Sequence, residues 1–320
     1  MARNQLGRTG LEIPGLTLGT WVFAGDQIWG PQDLKDSIST IHAALDMGLN
    51  LFDSAPGYGA GRSEEILGEA LEGRRDKAII ATKVSPTDLD GEGVRKSCED
   101  SLRRLRTDRI DLLQVHWPSR TVPFVETVEA FNGLKEAGKI RYAGVCNFGA
   151  PDVEEWISAG GEIVSNQLSY SLLSRAIEYE IIPACKRHGI SVLPYSPLLQ
   201  GLLTGKFRTA DEVPETRART RHFSGDRPSS RHGETGCEDL TFSTIASIRA
   251  IGEREGIPMG RLALAWLVAQ DIVASTIVGA RNVEQLKDNK ASLDLVISDE
   301  VVDELEPTAR GSGGYGSTGV

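Results

Sequence analysis

Eight short apolar runs recur along the chain, and most are followed by a segment with the periodicity of an amphipathic helix. The runs are rich in Val, Ile and Leu with little alternation, which is typical of strands buried on both faces of a parallel sheet. They span residues 16–19, 49–53, 78–83, 112–116, 142–147, 163–167, 191–196 and 275–279. Eight strands alternating with helices are what a closed (β/α)8 barrel requires. The pattern therefore predicts an α/β fold of the TIM-barrel type, with a doubly wound open sheet as the alternative.

The helical segments between the runs carry boundary signals. The segment 33–48 begins with Asp and stops at Gly48, and the segment 63–73 opens with Ser63, whose hydroxyl can cap a helix. The helical segment after the fourth run ends at Gly138. Such stops recur before each new strand, as expected for repeated strand-helix units.

The chain is longer than the roughly 250 residues of a minimal barrel. A Gly-Arg-Thr-Gly turn within residues 4–13 predicts an amino-terminal β-hairpin that can cover the bottom of the barrel. Residues 207–237 follow strand seven without periodicity, and we interpret them as a candidate lid, with a mobile surface excursion as the alternative. A Gly- and Ser-rich tail from about residue 310 predicts little fixed structure. Residues 1–320 are expected to form a single barrel domain.

Charge and composition are those of an ordinary soluble globular protein, with 40% hydrophobic and 25% charged residues. The net charge of -10 argues against a nucleic-acid partner, which would normally require a basic stripe. Four arginines do cluster within residues 98–109, but acidic residues alternate with them on an amphipathic helical pattern. We interpret that cluster as a solvated helix face.

The cysteines and the apolar segments indicate the cell compartment. Four cysteines lie far apart, without a CxxC pair or metal-ligand spacing, and are expected to be reduced thiols with no bound metal. The amino terminus lacks the apolar stretch of a secretory signal. The apolar segment 262–278 is interrupted by Gln270 and Asp271, so it fails as a membrane span. We expect a cytoplasmic protein with no membrane partner, either a monomer or a weak homo-oligomer.

Two glycine-rich stretches imitate nucleotide-binding motifs. Residues 133–140, GLKEAGKI, have the spacing of a phosphate loop, but Ile140 replaces the hydroxyl residue and the segment ends a helix instead of starting one. Residues 57–62, GYGAGR, do not fit GxGxxG. Neither a P-loop nor a Rossmann site is supported.

Four polar residues lie at or just beyond the carboxyl ends of three successive predicted strands. They are Asp53, Tyr58, Lys83 and His116. Functional side chains at the carboxyl ends of strands are how a parallel barrel assembles an active site. A phenol beside an ammonium is a proton donor, the ammonium needs a carboxylate, and an imidazole can hold a carbonyl oxygen. The combination predicts carbonyl reduction.

The sequence around these residues resembles the aldo-keto reductase superfamily over nearly the whole chain. The matching stretches include LGTW, LNLFDSAPGYG, IATK, DSLRRLRTDRIDLLQVHWP, GKIRYAGVCNF, SNQLSYSLLSR, YSPLLQGLLTGKF and IVGARNVEQLKDN. The layout is most similar to the bacterial branch that contains sugar-aldehyde reductases and, more remotely, potassium-channel β-subunits. This resemblance implies NADPH-dependent reduction of aldehydes or ketones, which include sugar-derived ones, by direct hydride transfer.

The resemblance also implies that the four strand-end residues form a catalytic tetrad. Tyr58 is the general acid in this assignment, and its free pKa near 10 is high for that role. A Lys83 ammonium at about 4 Å would favour the phenolate by roughly 4 kcal/mol at an effective dielectric of about 20, which predicts a lowered pKa. Asp53 keeps Lys83 charged, and His116 orients the carbonyl.

The cofactor contacts are carried over in the same way. Asn147 and Gln167 match the residues that hold the nicotinamide carboxamide, and Tyr195 matches the aromatic residue that stacks on the ring. The remaining matches are Thr20, Trp21, Asp53 and Cys146 near the nicotinamide, Ser196, Pro197, Leu198, Gln200, Gly201 and Lys206 along the pyrophosphate, and Gly279, Ala280, Arg281, Gln285, Asp288 and Asn289 along the adenosine phosphate.

Two positions depart from the pattern of many relatives. Cys146 replaces a Ser, and a thiol is the weaker hydrogen-bond partner. Gln285 replaces an Arg that contacts the 2′-phosphate, which leaves Arg281 for that contact. The resemblance favours NADP(H) and leaves NAD(H) open.

Four aromatic residues follow strands one and four, where the substrate mouth is expected: Trp21, Phe23, Trp29 and Trp117. They can line a substrate pocket or pack the loops together. Two other functions share the same site residues. One is an NAD(P)-dependent sugar or alcohol dehydrogenase that works in the oxidative direction, and the other is an NADPH-sensing subunit with little turnover.

Overall fold

Within residues 3–310, the part of the chain that this computed structural model describes, eight parallel strands form a nearly closed barrel. Side chains are described through residue 306, and the Gly- and Ser-rich tail lies outside the described residues. The barrel strands are β3 (Leu16–Gly19), β4 (Leu51–Asp53), β5 (Ile79–Val84), β6 (Ile110–Val115), β7 (Ile140–Cys146), β8 (Ser165–Ser169), β9 (Ser191–Tyr195) and β10 (Thr276–Gly279). Their order is β10-β3-β4-β5-β6-β7-β8-β9. The predicted TIM barrel is confirmed.

The barrel closes between β9 and the residues that precede β10. The Val192 amide donates to the Ile272 carbonyl at 3.0 Å, and the Ala274 amide donates to the Val192 carbonyl at 3.1 Å. Parallel strands with partners on both sides direct all of their carboxyl ends toward one face of the barrel. Any site built from these ends therefore has a rigid frame.

Helices alternate with the barrel strands and cover the outside of the barrel. They are α1 (Leu34–Asp46), α2 (Arg62–Ala70), α3 (Gly91–Arg104), α4 (Phe124–Glu136), α5 (Ala150–Ser158), α6 (Ile181–His188), α7 (Glu238–Glu255), α8 (Met259–Val268), α9 (Val283–Lys290) and α10 (Asp299–Arg310). Short 3-10 helices lie at Trp21–Ala24, Arg75–Lys77, Ala176–Glu178, Leu199–Thr204, Ala210–Glu212 and Ala291–Asp294.

The predicted helix boundaries hold, except at the start of α2. Asp33 caps α1 by accepting from two backbone amides, and α4 ends shortly before Gly138, whose φ of 72° is left-handed. Ser63 does not cap α2, because the helix begins one residue earlier. The Ser63 hydroxyl instead donates to the carbonyl of Thr20 at 2.9 Å and ties α2 to the end of β3.

The amino-terminal hairpin closes the bottom of the barrel. β1 (Arg3–Gln5) pairs antiparallel with β2 (Glu12–Pro14). The hairpin side chains Leu6 and Ile13 are fully buried in a cluster with inward residues of the barrel strands, such as Leu112. Burial of these apolar side chains stabilises the closed end by roughly 1.5–3 kcal/mol each. The predicted hairpin is thus confirmed, and the opposite end is left for chemistry.

The arginine cluster of α3 is not wholly a solvated face. Arg104 donates through Nε to Glu64 Oε2 at 2.6 Å, and Glu64 is fully buried. The other Glu64 oxygen accepts from the Thr82 hydroxyl. This network joins α2, α3 and β5 directly beside Lys83. Sequence periodicity could not show it, because Arg104 and Glu64 come from different helices.

The most apolar late segment, 262–278, does not form one long helix. α8 ends at Val268, a turn follows, and β10 begins at Thr276. Across the described part of the chain, no helix combines the length and the apolarity needed to cross a membrane.

The cysteines remain unpaired. Cys98, Cys146 and Cys185 are buried free thiols, and Cys237 is partly exposed and also free. This agrees with the expected absence of a disulfide framework.

Candidate active site

The carboxyl ends of β4, β5 and β6 bring the four strand-end residues together. Asp53 is the last residue of β4, and Tyr58 lies in the turn that follows it. Lys83 is near the end of β5, and His116 comes directly after β6. Because these strands are neighbours in the sheet, the four side chains converge on one side of the barrel mouth.

Lys83 is the centre of this cluster. Its Nζ donates to Asp53 Oδ1 at 2.6 Å, to the Ser54 carbonyl at 2.7 Å and to the Tyr58 hydroxyl at 3.3 Å. The side chain of Lys83 is 0% exposed. Burial is the largest single influence and would lower the pKa of Lys83, but Asp53 together with Tyr58 and Cys146 outweighs it, and the pKa is raised. Lys83 therefore stays an ammonium.

The pKa of the Tyr58 phenol differs from the sequence-based expectation. Burial raises the pKa of Tyr58 above 10, and the opposing effect of Lys83 only partly offsets it. The predicted lowering of the Tyr58 pKa was wrong, because it included the effect of the Lys83 ammonium and left out the effect of burial. Trp21 contributes to this burial, because its ring stacks on Tyr58 with 5.4 Å between the ring centroids and an interplanar angle of 16°. Tyr58 is thus a protonated donor at neutral pH.

His116 faces the same phenol edge-on. The two ring centroids are 6.1 Å apart, and the angle between the ring planes is 86°. Burial, with a further contribution from Lys83, lowers the pKa of His116 to about 3. The imidazole is therefore neutral at working pH and carries one N–H donor and one acceptor nitrogen.

Two glutamines hold the second oxygen of Asp53. Gln167 Nε2 donates to Asp53 Oδ2 at 2.8 Å, and Gln114 Nε2 donates to the same atom at 3.2 Å. Gln167 also donates to Gln114 Oε1 at 3.3 Å. Its N–H groups are therefore engaged, and its carbonyl oxygen is the atom suited to a carboxamide donor. Gln114 was missed by sequence reasoning, although a lone amide inside the apolar run LLQV was a usable signal.

Asn147 and Tyr195 form a second pair at the mouth. The Tyr195 hydroxyl donates to Asn147 Oδ1 at 2.9 Å, and Asn147 Nδ2 donates to the His116 carbonyl at 3.0 Å. Asn147 has a φ of 59°, a left-handed conformation that Asn tolerates better than most residues. These contacts fix the ring of Tyr195. Cys146 makes only a weak contact, with Sγ 3.7 Å from Gln114 Oε1, and burial raises its pKa.

The loop after β9 is strained in a manner typical of functional sites. Ser196, Leu199 and Gln200 have φ values of 52°, 43° and 55°, and Gly201 has a φ of 102°. The φ of Gly201 is one that other residues rarely adopt, and an added Cβ would also lie 2.8 Å from the flexible end of the Lys206 side chain. Gln200 Oε1 is buried without a hydrogen-bond partner. A cradle with an orphaned polar atom suits a bound ligand.

Three cations surround this loop. Partial burial lowers the pKa of Lys206 and so does the nearby Arg217, while burial and Arg281 lower the pKa of Arg217. Within the described side chains, none of the three forms an ion pair with a carboxylate. Positive charges that repel one another at a strained loop suit a polyanion such as a pyrophosphate. Arg217 was missed, because it lies in a segment without periodicity.

Arg281 is oriented by the loop before α1. Its Nε donates to Gln32 Oε1 at 2.9 Å, it also donates to the Pro31 carbonyl, and Gln32 Nε2 donates back to the Arg281 carbonyl at 2.8 Å. All of these partners are neutral. The guanidinium is thus positioned while its charge is left for an anion. Gln32 carries no sequence signal for this role.

The other residues of the adenosine segment mainly shape the backbone. Gln285 Oε1 accepts from the Arg281 amide at 3.0 Å, beside the Asn282 cap of α9. Asp288 pairs with Arg261 at 2.7 Å, and the buried Asn289 donates to the Gly279 carbonyl at 3.1 Å. Gln285 thus orders the backbone before α9, and the phosphate contact of Arg281 stays a prediction.

Three of the four predicted aromatic residues reach the mouth. Trp21 contacts Tyr58, as described, and Trp29 packs edge-on against Trp21 with 5.7 Å between centroids. Trp117 follows His116 and is 42% exposed. Phe23 is only 2% exposed within the core. Its assignment to the substrate pocket was wrong, because the 3-10 turn Trp21–Ala24 directs Phe23 inward.

The buried Thr20 side chain stabilises the backbone around the site. Its hydroxyl donates to the Asp53 carbonyl at 2.9 Å and lies 2.7 Å from the Ser63 hydroxyl. Thr20 therefore fixes the start of the Trp21 turn and does not face the mouth.

The segment 207–237 packs over this aromatic wall. Arg217 lies over the ring of Trp29 at 5.3 Å, and Arg219 lies over Trp21 at 5.8 Å. Arg227 anchors the segment through Glu238 at 2.6 Å, and Phe223 is buried. These contacts argue for a structured cover over the mouth instead of a loose surface excursion. Whether it opens and closes as a lid stays a prediction.

Metal chemistry has no visible site. Among the described residues, no group of three or more His, Cys, Asp or Glu side chains could hold a metal ion.

Comparison with known proteins places this geometry in a family. The family model described as "Aldo/keto reductase family" matches residues 15–309 of this chain. The NADH-specific methylglyoxal reductase of Escherichia coli is 34% identical over 322 residues, which cover 93% of this chain and 95% of that protein.

Solved structures agree. The glycerol dehydrogenase AKR11B4 from Gluconobacter oxydans has a TM-score of 0.83 and 31% identity, over 97% of this chain and 96% of that chain. An aldo/keto reductase from Klebsiella pneumoniae, solved with NADP and acetate, has a TM-score of 0.75 and 28% identity, over 96% and 95%.

Proposed function

This chain belongs to the aldo/keto reductase family, and we propose that it uses NADPH to reduce an aldehyde or ketone to an alcohol, with Tyr58 as the proton donor. As a member of that family it is an NAD(P)H-dependent oxidoreductase that acts on carbonyl groups. The identity of the acid, the roles of its neighbours and the substrate are the proposed part.

The observation that carries the proposal is the buried contact between Tyr58 and Lys83. The Tyr58 hydroxyl is 3.3 Å from a permanently charged ammonium, which Asp53 fixes at 2.6 Å. The ammonium stabilises negative charge on the phenol oxygen at the moment when that oxygen gives up its proton. Tyr58 can therefore protonate the carbonyl oxygen as it becomes an alkoxide.

The protonation state of Tyr58 suits a general acid. Burial raises the pKa of Tyr58, so the phenol is protonated throughout the neutral range. A general acid must start protonated, whereas an oxidative enzyme would need the same group as a phenolate base. The same residue would act as the base in the oxidative direction, so the assay in both directions decides between the two.

His116 is suited to position the carbonyl. Because its pKa is lowered to about 3, it offers a neutral N–H and not a competing imidazolium. A neutral donor can hydrogen-bond the carbonyl oxygen without replacing Tyr58 as the acid. The edge-on arrangement of the two rings lets both groups approach one oxygen atom.

NADPH fits the rest of the mouth. When bound, its reduced nicotinamide would supply the hydride that the reaction requires. Tyr195, held by Asn147, offers a ring face for the nicotinamide, and the cradle at Gly201 with Lys206 and Arg217 offers the charge for the pyrophosphate. Arg281 is the candidate for the 2′-phosphate. NADH remains the competing cofactor, because a homologue is named for NADH specificity.

A panel of carbonyl compounds, assayed with each cofactor and in both directions, tests the proposal. We expect turnover of p-nitrobenzaldehyde with NADPH, followed by the absorbance of the reduced cofactor. Tight NADPH binding with no turnover of any aldehyde or ketone would favour the sensing role instead. Faster oxidation of sugar alcohols than reduction of any carbonyl would favour the dehydrogenase.

A further inference from the structure

Arg219 lies over an aromatic ring that contacts the proposed proton donor. Its guanidinium carbon lies 5.8 Å from the centroid of the Trp21 ring, and that ring stacks on Tyr58. Trp21 is thus a common neighbour of the positive charge and the proposed proton donor.

A second arginine is next to Arg219. The Arg231 amide donates to the Arg219 carbonyl at 3.3 Å, and the Arg231 side chain is exposed. Partial burial lowers the pKa of Arg219, and the nearby Arg231 charge lowers it further. The repulsion between these two positive charges destabilises the folded protein unless an anion binds between them, even though the net charge of the chain is -10.

The nearest acidic group does not neutralise the pair. Asp26 attracts Arg219 but forms no ion pair with it. Its Oδ2 accepts from the Trp21 indole at 2.7 Å, and its Oδ1 accepts from the amides of Ile28 and Trp29 at 2.9 and 3.0 Å. This carboxylate is already committed to neutral donors. Within the described side chains, neither Arg219 nor Arg231 is paired with a carboxylate.

Four largely buried arginines of the protein are held differently from Arg219. Arg75, Arg104, Arg175 and Arg227 each pair with a carboxylate at 2.6–2.7 Å. The unpaired Arg217 and Arg281 are accounted for by the cofactor phosphates in the proposed function. Arg219 differs from the four paired arginines: within the described side chains it has no carboxylate partner, it lies over the Trp21 ring, and the exposed Arg231 is beside it.

We propose that Arg219, supported by Arg231, binds an oxyanion of the substrate, so that the preferred substrates are aldehydes or ketones that carry a carboxylate or a phosphate. This inference rests on the proposed function. The guanidinium fork of Arg219 would grip the anion in the bidentate way that arginine favours. The carbonyl of the same molecule would then lie on the Trp21 side, toward Tyr58.

Matched substrate pairs test the inference. For carboxylates the pair is 4-carboxybenzaldehyde and its methyl ester, and for phosphates it is glyceraldehyde 3-phosphate and glyceraldehyde. The wild-type protein is expected to prefer the charged member of at least one pair, and the pair that shows it identifies the source of the anion. Arg219→Gln should reduce the charged-to-neutral ratio of kcat/KM by roughly 10- to 100-fold, the effect of losing one charge-assisted hydrogen bond.

Two controls separate charge recognition from loop damage. Arg208→Gln removes the same charge from an exposed position of the same segment and should keep the wild-type ratio. The KM for NADPH reports whether the segment still covers the cofactor. A ratio in Arg219→Gln equal to that of the wild type, or equal losses for charged and neutral members, would overturn the inference.

A binding measurement keeps this inference distinct from the proposed function. With NADP⁺ present, the probe 4-(hydroxymethyl)benzoate should quench tryptophan emission in the wild type, and Arg219→Gln should bind it at least tenfold more weakly, again the loss of one charge-assisted hydrogen bond. If no carbonyl compound is reduced but this difference is observed, the proposed function fails and the anion site stands. If carbonyl compounds are reduced but the two proteins bind the probe equally, the anion site fails.

Discussion

Gln167 donates to Asp53 Oδ2 at 2.8 Å, while Lys83 donates to the other oxygen of the same carboxylate at 2.6 Å. The residue expected to hold the nicotinamide therefore also holds the carboxylate that anchors Lys83. Cofactor binding and the proton-donating group thus share one hydrogen-bonded frame. Changes in that frame should affect kcat as well as the KM for the cofactor.

Gln167→Met tests this coupling. The substitution keeps the length of the side chain but removes its donors, which leaves Asp53 Oδ2 with Gln114 alone. We expect a loss of about 1–3 kcal/mol in the free energy of unfolding, since a buried acceptor loses a partner. Urea denaturation measures that loss, and steady-state kinetics should show both a lower kcat and a higher KM for NADPH. Gln5→Met, at an exposed position of β1, is the control. A change in the KM for NADPH alone would contradict the coupling.

The Asp53 and Lys83 pair should show strong thermodynamic coupling. Asp53→Asn leaves a fully buried ammonium without its counter-charge and should cost about 3–5 kcal/mol of folding free energy. Lys83→Met leaves the carboxylate unpaired and should cost a similar amount. The double variant removes both charges and should be more stable than either single variant. Denaturant unfolding of all four proteins gives the cycle, and additive losses would show that the pair is not coupled.

His116 should make the protein less stable in acid. Its pKa is about 3 when folded and near 6.5 when unfolded, so the unfolded state binds the extra proton between these values. The contribution of His116 is therefore fully present above pH 6.5, and it falls by up to about 1.4 kcal/mol per pH unit as the pH drops toward 3.

His116→Asn tests that assignment. The variant should reduce the slope of unfolding free energy against pH by about one proton between pH 6 and 4. His222, whose pKa burial also lowers, is unchanged in both proteins and so cancels in the comparison. Identical slopes for wild type and variant would mean that His116 is not held neutral.

Substitution of Arg281 and substitution of Arg217 should have different effects on the binding of the two cofactors. Arg281→Ala should weaken NADPH binding by roughly tenfold or more and NADH binding much less, because the difference between the cofactors is the 2′-phosphate. Arg217→Ala should weaken both, because the pyrophosphate is common to them. Fluorescence titration of the wild type and both variants with each cofactor measures the six dissociation constants. Equal losses of NADPH and NADH in Arg281→Ala would reject its assignment.

Much of the fold was readable because barrel strands are buried on both faces. The run at 191–196 corresponds to β9 (Ser191–Tyr195), and the run at 275–279 corresponds to β10 (Thr276–Gly279). Continuous apolar runs mark such strands strongly, and glycines mark the ends of the helices between them. The meeting of the four proposed catalytic residues could be predicted for the same reason, since they lie at the ends of runs or in the turn that follows one.

The remaining features depend on contacts between distant segments. The raised pKa of Tyr58 depends on burial, to which the Trp21 ring contributes, and sequence spacing gives no measure of burial. Phe23 was assigned to the mouth because its neighbours are there, but one turn of 3-10 helix reverses its direction. Arg217 and Arg219 come from a segment without periodicity, so only the folded chain brings them to the site.

The most direct test of the proton-donor assignment is the turnover of Tyr58→Phe with p-nitrobenzaldehyde and NADPH. Phe keeps the ring that packs on Trp21 and removes only the hydroxyl. The proposed mechanism predicts that kcat falls by roughly 10²- to 10⁴-fold, as expected for loss of a general acid, while NADPH binding is retained. A Tyr58→Phe variant that reduced the aldehyde at the wild-type rate would contradict it.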